Sequence, residues 1–577
     1  MPTPDAELTR AELGDLRPGL VGAFDRALPR ARAEVLARLL GALHREPLPG
    51  VAARQPGLVT LNDGRVLTCP AGAELPFAVP APGLTCRLAE PPAHEGRRSE
   101  PAARQGHRDN PAARQGHRDN PAAHDGHHGE PRAGVGSGEP AARDRDRELP
   151  GASGHGVTDT GEITDPAALV RELGWAQTFH DEIANSVANL TLAYADAPPG
   201  TARPLLATGP DLATVEQLVL DGHPLHPCCR TRGGMDVADV LAYAPEHRRT
   251  LRLRRLRVPA DRWSGDGPPV LLAHPWQAAH LRERYPWLRD DGETGPVRPL
   301  MSLRTVATAA GHVKTAVDVQ MTSAVRTVSP AAVHNGPRLS ALLGDVTAGL
   351  PLTVLAEYGA GAVLVDGRPE RHLAHLHRAA PVVGPGETVV PLAALAAADP
   401  YDGRPLLWHA ATDPYAWWHD LTHLLFPPLL AVLDRGVALE AHGQNSLVVL
   451  DQGRPIRIVY RDLGGVRVSA ARLRAAGFEP PPLAGDLASD DPAVLRTKLA
   501  AALGTVTGQL VAVLERGGAD PAKLWATAAA ALASARTPDA ATMLREPLPV
   551  KATTAMRLAA DPLDDLWTFL DNPMAAS

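Results

Sequence analysis

The chain has 577 residues, 44% of them hydrophobic and 21% charged, with a net charge of −7 at neutral pH. That length exceeds one ordinary core and predicts two or three domains, and the mildly acidic balance argues against a dedicated nucleic-acid binder. No run of about 18 apolar residues is present to span a membrane, and the acidic opening MPTPDAELTRAELGD lacks the apolar centre of a signal peptide.

Four cysteines (Cys69, Cys86, Cys228, Cys229) show no zinc spacing, which predicts a reducing, cytoplasmic setting. The first 88 residues read as folded. Val35 to Leu43 carries helical apolar spacing, and LNDGRVLTCP reads as a turn followed by a strand. From about Glu90 to His155 the composition shifts to decapeptide repeats: EPAARQGHRD, NPAARQGHRD and a decayed NPAAHDGHHG. Large apolar residues are almost absent there, so burial cannot offset the cost of ordering the chain. The segment is expected to be a disordered and dispensable insertion, whose His107, His117, His124, His127 and His128 could collect metal adventitiously.

Order is expected to resume at Thr164-Asp165-Pro166, a helix-start signal. The helix that follows places Glu182, Asn185 or Ser186, and Asn189 on one face, either a solvated stripe or the lining of a cleft. In EQLVLDGHPLHPCCRTR, prolines after His223 and His226 forbid a regular helix, which disfavours a shared zinc face. The segment suits rigid placement of the two imidazoles, with Arg230 and Arg232, beside an anionic ligand. Leu251 to Val258 alternates as a half-buried strand with its arginines outward. The HPWQ at 274–277 is expected to end a strand, with Trp276 in the core.

Ser302 to Arg326 contains two alternating stretches around Ala-Gly-His, which predict a β-hairpin. Period-two geometry brings Ser302, Arg304, Thr305 and Lys314 onto neighbouring strands, with Thr322 and Arg326 as the second strand ends. Such cations and hydroxyls match a polyphosphate and a carboxylate, because Arg grips bidentately and Lys acts as a point charge. An exposed polar hairpin is the plain alternative. Asp413 to Arg435 predicts a helix interrupted at Pro427-Pro428 and stopped by Gly436, with Trp417 and Trp418 in the core.

The densest stretch is His442-Gly-Gln-Asn445, followed after a hairpin by Arg461-Asp462. Ser446 to Leu450 and Pro455 to Tyr460 read as its strands. If the hairpin closes, Asn445 and Asp462 meet at its open end, where an amide oxygen and a carboxylate suit Mg²⁺ and its phosphate partners. His442 would face the same phosphates. Kinase-like phosphotransferases share this order, so the motif predicts ATP and Mg²⁺ before it says which reaction. A capped turn with a surface Asp is the plain alternative. Val511 to Arg516 and Pro521 to Arg536 are alanine-rich helix candidates.

The ordered run EIANS, EQLVLDGHPLHPCCRTR, YAPEH, HPWQ, SLRT, VKTAVDVQMTSAVRT, NGP, LEAHGQNSLV and VYRDLGG resembles the NRPS-independent siderophore synthetases, the aerobactin-synthetase (IucA/IucC) family, from about residue 165 onward. The resemblance implies an α+β fold with a mixed or antiparallel sheet core and a helical C-terminal region. Its three-part, hand-like architecture would comprise a thumb (1–165) carrying the repeats, fingers (166–385) with the phosphate-binding hairpin, and a kinase-like palm (386–577). It implies a siderophore-biosynthesis ligase that uses ATP and Mg²⁺ to adenylate a carboxylate, citrate favoured. An amine or hydroxyl then condenses with it, with release of AMP and pyrophosphate.

By position, Ser302, Arg304, Thr305 and Lys314 resemble nucleotide-phosphate contacts. Thr322, Arg326 and His442 resemble the groups around the α-phosphate and reacting carboxylate. Asn445 and Asp462 resemble the metal and phosphate end, with Glu440 a further metal candidate, and His223, His226, Arg230 and Arg232 are assigned to the carboxylate. The implied partners are small molecules, not nucleic acid or membrane, and the implied assembly is a homodimer. A small-molecule kinase, a catalytically dead binding protein, and a ligase taking a pre-condensed citrate half are the competing readings. Two features depart from the family: Arg230 stands where many relatives carry Lys, and the repeat insertion is unusual.

Overall fold

The computed structural model describes residues 4–90, 161–561 and 565–575. The decapeptide repeats and their histidines lie outside the described residues. The N-terminal part is built on the helix Val21–Arg45, whose Val35, Leu36, Leu39, Leu40 and Leu43 are all fully buried. It packs against the helix Gln177–Ala195 through Phe179, Ile183, Val187 and Leu190. Beside them lies a five-stranded antiparallel meander. Its last two strands, Cys86–Ala89 and Glu162–Ile163, are neighbours, so the chain leaves for the repeats and returns from them side by side.

Asp165 caps a helix as expected, accepting from the Ala167 N–H at 2.9 Å, with Pro166 in the first turn. That helix stops at Glu172, because Gly174 at φ +69° turns the chain before a second helix begins at Gln177. The polar stripe of this second helix is neither solvated nor cleft-lining. Asn185, Ser186 and Asn189 are buried and serve the irregular 227–232 segment, whose backbone groups have no ladder of their own. Ser186 donates to Pro227 O (2.9 Å), Asn189 to Arg230 O (3.2 Å), and Asn185 Oδ1 accepts from Arg232 N (2.8 Å).

His274 directly follows the end of the strand Val270–Ala273, as expected. It caps the helix Pro275–Arg284 by accepting from Trp276 N, and Trp276 is buried as expected. A six-stranded antiparallel sheet contains the predicted hairpin, Thr305–Thr308 with Gly311–Thr315, and continues into Arg368–Arg378, Glu357–Val365 and Trp263–Gly265. A four-stranded mixed sheet holds the second predicted hairpin, Ser446–Asp451 with Arg454–Tyr460; Leu352–Val354 runs parallel to the latter strand.

Helices dominate the C-terminal part. Pro414–Asp434 runs through Pro427 and Pro428 without the expected interruption, since buried Leu425, Phe426, Leu429 and Leu430 anchor both sides of the pair. Pro492–Arg516 is long and apolar enough, by length and composition, to cross a membrane. In this fold 67% of its apolar window is buried, and Leu495, Leu499, Leu510 and Leu514 belong to the largest core, with Trp418, Phe426 and Tyr460. The whole is a mixed α+β fold of several sheets and helices.

Candidate active site

The first hairpin sets Thr305 directly opposite Lys314. Cross-strand partners in this register project to the same face, and the Lys314 ammonium reaches the Asp462 carboxylate at 2.9 and 2.7 Å across 148 positions of chain. Asp462 follows the strand Arg454–Tyr460 at φ +72°, a left-handed turn that takes the chain out of the sheet. Arg461 N donates to Asn445 O at 3.0 Å, which closes the hairpin and sets Asn445 beside Asp462 as the spacing predicts. Asp462 is partly exposed (28%), whereas Lys314 is buried. Burial favours the protonated carboxyl, but Lys314, Arg378 and Arg304 outweigh it and hold Asp462 well below the usual carboxylate range. Burial lowers the Lys314 pKa against the pull of the same carboxylate.

A second, short hairpin joins Val317–Met321 to Ala324–Arg326, with Thr322 in its turn at φ +51° rather than at a strand end. The Arg326 guanidinium is bonded to Thr322 Oγ1. Burial brings Arg326 down to about 10, Arg304 adds to this, and Asp462 and Glu440 oppose it. A cation crowded by another cation in this way is relieved by a bound anion. Arg304 is tied to the Thr327 carbonyl, and Ser302 accepts through its backbone carbonyl from Thr305 N at 2.7 Å.

The site histidines share one device. Nδ1 of His223, His226 and His442 accepts from the backbone N–H two residues on, at 3.2, 3.0 and 3.3 Å. Burial lowers all three pKa values, so each ring is neutral at neutral pH and carries its hydrogen on Nε2. His226 spends that hydrogen on Ser323 Oγ at 2.8 Å. The Asn445 amide stands 3.3 Å from His442 Nε2. His223 interacts with His442 and Arg326, and His442 with Glu440 and Asp462, so the three segments lie close to one another.

Arg230 and Arg232 are turned away to an ion cluster of their own. Both are buried on Glu246, at 3.2 and 3.1 Å, and Arg230 also donates to Leu220 O at 2.6 Å. Burial alone would raise Glu246, but the two guanidiniums bring it to about 2. Glu440 is also occupied, with Oε1 2.9 Å from Lys498 and 3.2 Å from Lys551. Burial opposes its ionisation, yet Lys551 and Lys498 hold it at about 2. Among the described residues no group of three or more His, Cys, Asp or Glu is placed to hold a metal ion.

Two site residues carry no mark in the sequence. Glu216 is buried between the segments: Oε1 takes Arg461 Nη1 at 2.6 Å and Oε2 takes Met301 N at 2.7 Å. It thereby fixes the start of the first hairpin to the residue beside Asp462. Glu357 accepts from Leu463 N at 3.4 Å, and burial, then Asp462, push its carboxyl up. It lines a cavity of ≈ 150 Å³ with Gly336, Leu463 and Gly464, directly beyond Asp462. Glu216 lies within the EQLVLDGHPLHP run, but a single acid at a helix end gives no signal of its role.

This fold is similar to that of solved aerobactin and petrobactin biosynthesis proteins. The structure superposes on ATP-bound aerobactin synthetase IucA from a hypervirulent pathotype of Klebsiella pneumoniae with TM-score 0.66 and 20% identity, covering 95% of this chain and 99% of that one. Petrobactin biosynthesis protein AsbB from Bacillus anthracis str. Sterne gives TM-score 0.62 at 20% identity, over 72% and 84%. Residues 211–267 and 263–397 match the model described as IucA / IucC family. That part of the chain is similar to the IucA/IucC family.

Residues 415–563 match a model described as ferric iron reductase FhuF-like transporter. That segment holds no cysteine to supply thiolate to an iron centre. Among curated relatives, staphyloferrin A synthase of Staphylococcus aureus is 30% identical over 323 residues, 46% of this chain and 54% of that protein. The D-ornithine–citrate ligase of the same organism is 22% identical over 45% and 50%. The chain spans about half the length of the curated relatives it matches.

Proposed function

We propose that the protein is an ATP- and Mg²⁺-dependent ligase of siderophore biosynthesis, which activates a carboxylate, citrate favoured, and joins it to an amine or hydroxyl. The observation that carries this reading is the meeting of Lys314 with Asp462, with Arg304 and Arg326 close enough to perturb one another. In the first step a carboxylate oxygen bonds to the α-phosphorus and pyrophosphate leaves. In the second the amine nitrogen or hydroxyl oxygen bonds to the acyl carbon, AMP leaves, and the nucleophile's proton passes to water.

Attack of one anion on another is electrostatically opposed, so Lys314, Arg304 and Arg326 lower the barrier by neutralising charge gathered at the α-phosphorus. His442, neutral and protonated on Nε2, is suited to donate to a phosphate oxygen rather than to act as a base. Asp462 and Asn445 offer two oxygens, which fits a hard cation that takes its remaining ligands from phosphates and water. Bound there, Mg²⁺ would neutralise phosphate charge. The cavity bounded by Gly336, Glu357 and Gly464 is the adjoining space open to the nucleoside. In this reading the chain has the thumb, fingers and kinase-like palm of a hand, works in the cytoplasm and pairs as a homodimer.

The test is product analysis with ATP, citrate and hydroxylamine. AMP, pyrophosphate and a hydroxamate are expected; ADP as the nucleotide product would instead make the protein a kinase. Arg326→Ala and His442→Ala should each lower pyrophosphate release by about 10²-fold, and near-normal release by both would refute the assignment.

A further inference from the structure

A cavity of ≈ 320 Å³ lies away from the Lys314–Asp462 cluster, between the helix Val21–Arg45, the 75–79 loop and the C-terminal end of Pro492–Arg516. That is the size of an ordinary small-molecule site. Four guanidiniums line it (Arg30, Arg38, Arg45 and Arg516) against two carboxylates, Glu34 and Asp221. Arg38 is satisfied by Pro224 O, Cys229 Sγ and Glu34. The others are not. Arg30 stands 4.0 Å from Asp221, at the limit of an ion pair.

Arg45 and Arg516 have no carboxylate partner among the described residues. Each makes one long bond to a backbone carbonyl, Arg45 to Glu74 O and Arg516 to Phe77 O, both at 3.3 Å. Two underused planar forks beside a cavity form an anion receptor, and the geometry of a guanidinium favours planar oxyanions. Apolar walls of Phe77 and Trp408 suit the carbon skeleton of an organic anion over a bare inorganic one. Asp221 already accepts from the Tyr194 hydroxyl at 2.5 Å and Glu34 stands 3.6 Å from Arg38, so the two carboxylates shape the cavity while the two arginines are left for a ligand.

The cavity adjoins the candidate active site through the 222–225 turn. Gly222, Pro224 and Leu225 line it, while His223 between them interacts with His442 and Arg326. We propose that this cavity is a second ligand site, taking a small hydroxy- or amino-polycarboxylate, built on Arg45 and Arg516 behind the 222–225 turn. It does not depend on the adenylation reading.

Calorimetric titration with citrate as the probe tests it, on the full chain and on two variants. Arg45→Ala/Arg516→Ala should weaken one citrate-binding event by about tenfold or more, the loss of a charge-assisted hydrogen bond. Arg326→Ala should leave that event untouched, so failure of the catalytic reading and failure of this one give different patterns. An unchanged citrate isotherm in the double variant overturns the proposal. So does inorganic phosphate binding as tightly as citrate at the event the double variant removes. Should the double variant fold poorly, Arg516→Gln alone, at an exposed position, carries the same test with the same two outcomes.

Discussion

Two clusters of cations and carboxylates stand close together in this chain, and they differ in what surrounds them. In one, Arg230 and Arg232 clasp Glu246 with side-chain exposures of 4%, 5% and 1%. In the other, Lys314 at 9% holds Asp462 at 28%. Both set basic side chains against a single carboxylate. The first cluster is closed off from solvent, with hydrogen bonds to Glu246, Leu220 O and Thr231 O and with Arg232 Nε left buried without a partner among the described residues. The second carries surplus positive charge from Arg304, Arg326 and Arg378 around a carboxylate that solvent can reach. Burial, not composition, separates a structural ion cluster from one able to take a ligand.

The largest expected effect is on the closed cluster. Glu246→Ala leaves two buried guanidiniums without their counter-charge and should cost about 3–5 kcal/mol of unfolding free energy, measured by urea denaturation. A loss below about 1 kcal/mol would mean that water reaches the cluster and that the contrast with Lys314–Asp462 is false. The same substitution should leave nucleotide affinity of the folded protein unchanged, because both arginines are turned away to Glu246.

The open cluster should behave in the opposite way. Lys314→Ala is expected to lower citrate-dependent pyrophosphate release by about 10²–10³-fold, while its melting temperature moves less than that of Glu246→Ala. If the stability loss matched that of Glu246→Ala and the residual activity were normal, Lys314–Asp462 would be a second structural pair.

Acid separates the clusters further. Glu246 is brought to about 2 from 4.5, so the unfolded chain takes up its proton first as pH falls. Its contribution is fully present above pH 4.5 and drains away toward pH 2. A carboxyl held that far below its unfolded value contributes on the order of 3 kcal/mol to folding at neutral pH. Unfolding titrations of the parent and Glu246→Gln should therefore converge as pH drops through that window. Parallel curves would remove Glu246 from the account.

Much of this architecture was legible because strand periodicity is local. The pairings Thr305↔Lys314 and Ser446↔Tyr460 follow from alternation and turn residues alone, and they put Lys314, Asn445 and Asp462 where expected. Burial was not legible. Arg230 and Arg232 look the same in sequence whether they meet a substrate or Glu246, and the amide stripe of the Gln177–Ala195 helix supports backbone from another segment. Nor does Glu216 announce itself: it meets Arg461 across 245 positions of chain, a separation at which no pattern survives. The Pro427-Pro428 pair failed as a break because packing on both sides outweighs the lost hydrogen bonds.

The smallest effect is expected from a third cation-rich stretch, the decapeptide repeats, which has arginines and histidines but almost no large apolar residues to bury them. If burial decides which charges matter, this stretch should matter least. Its two ends sit on paired strands, with Cys86 opposite Ile163 and Arg87 opposite Glu162, so a short connection can replace it without moving either strand. Deleting residues 95–155 shortens that connection from about 70 residues to about 10, which should leave activity intact and raise stability by about 1–2 kcal/mol at most through cheaper loop closure. Pyrophosphate release and a thermal melt of the deleted protein check both halves. Loss of soluble protein would mean that the repeats contribute contacts composition does not predict, and that charge without apolar company can still hold this fold together.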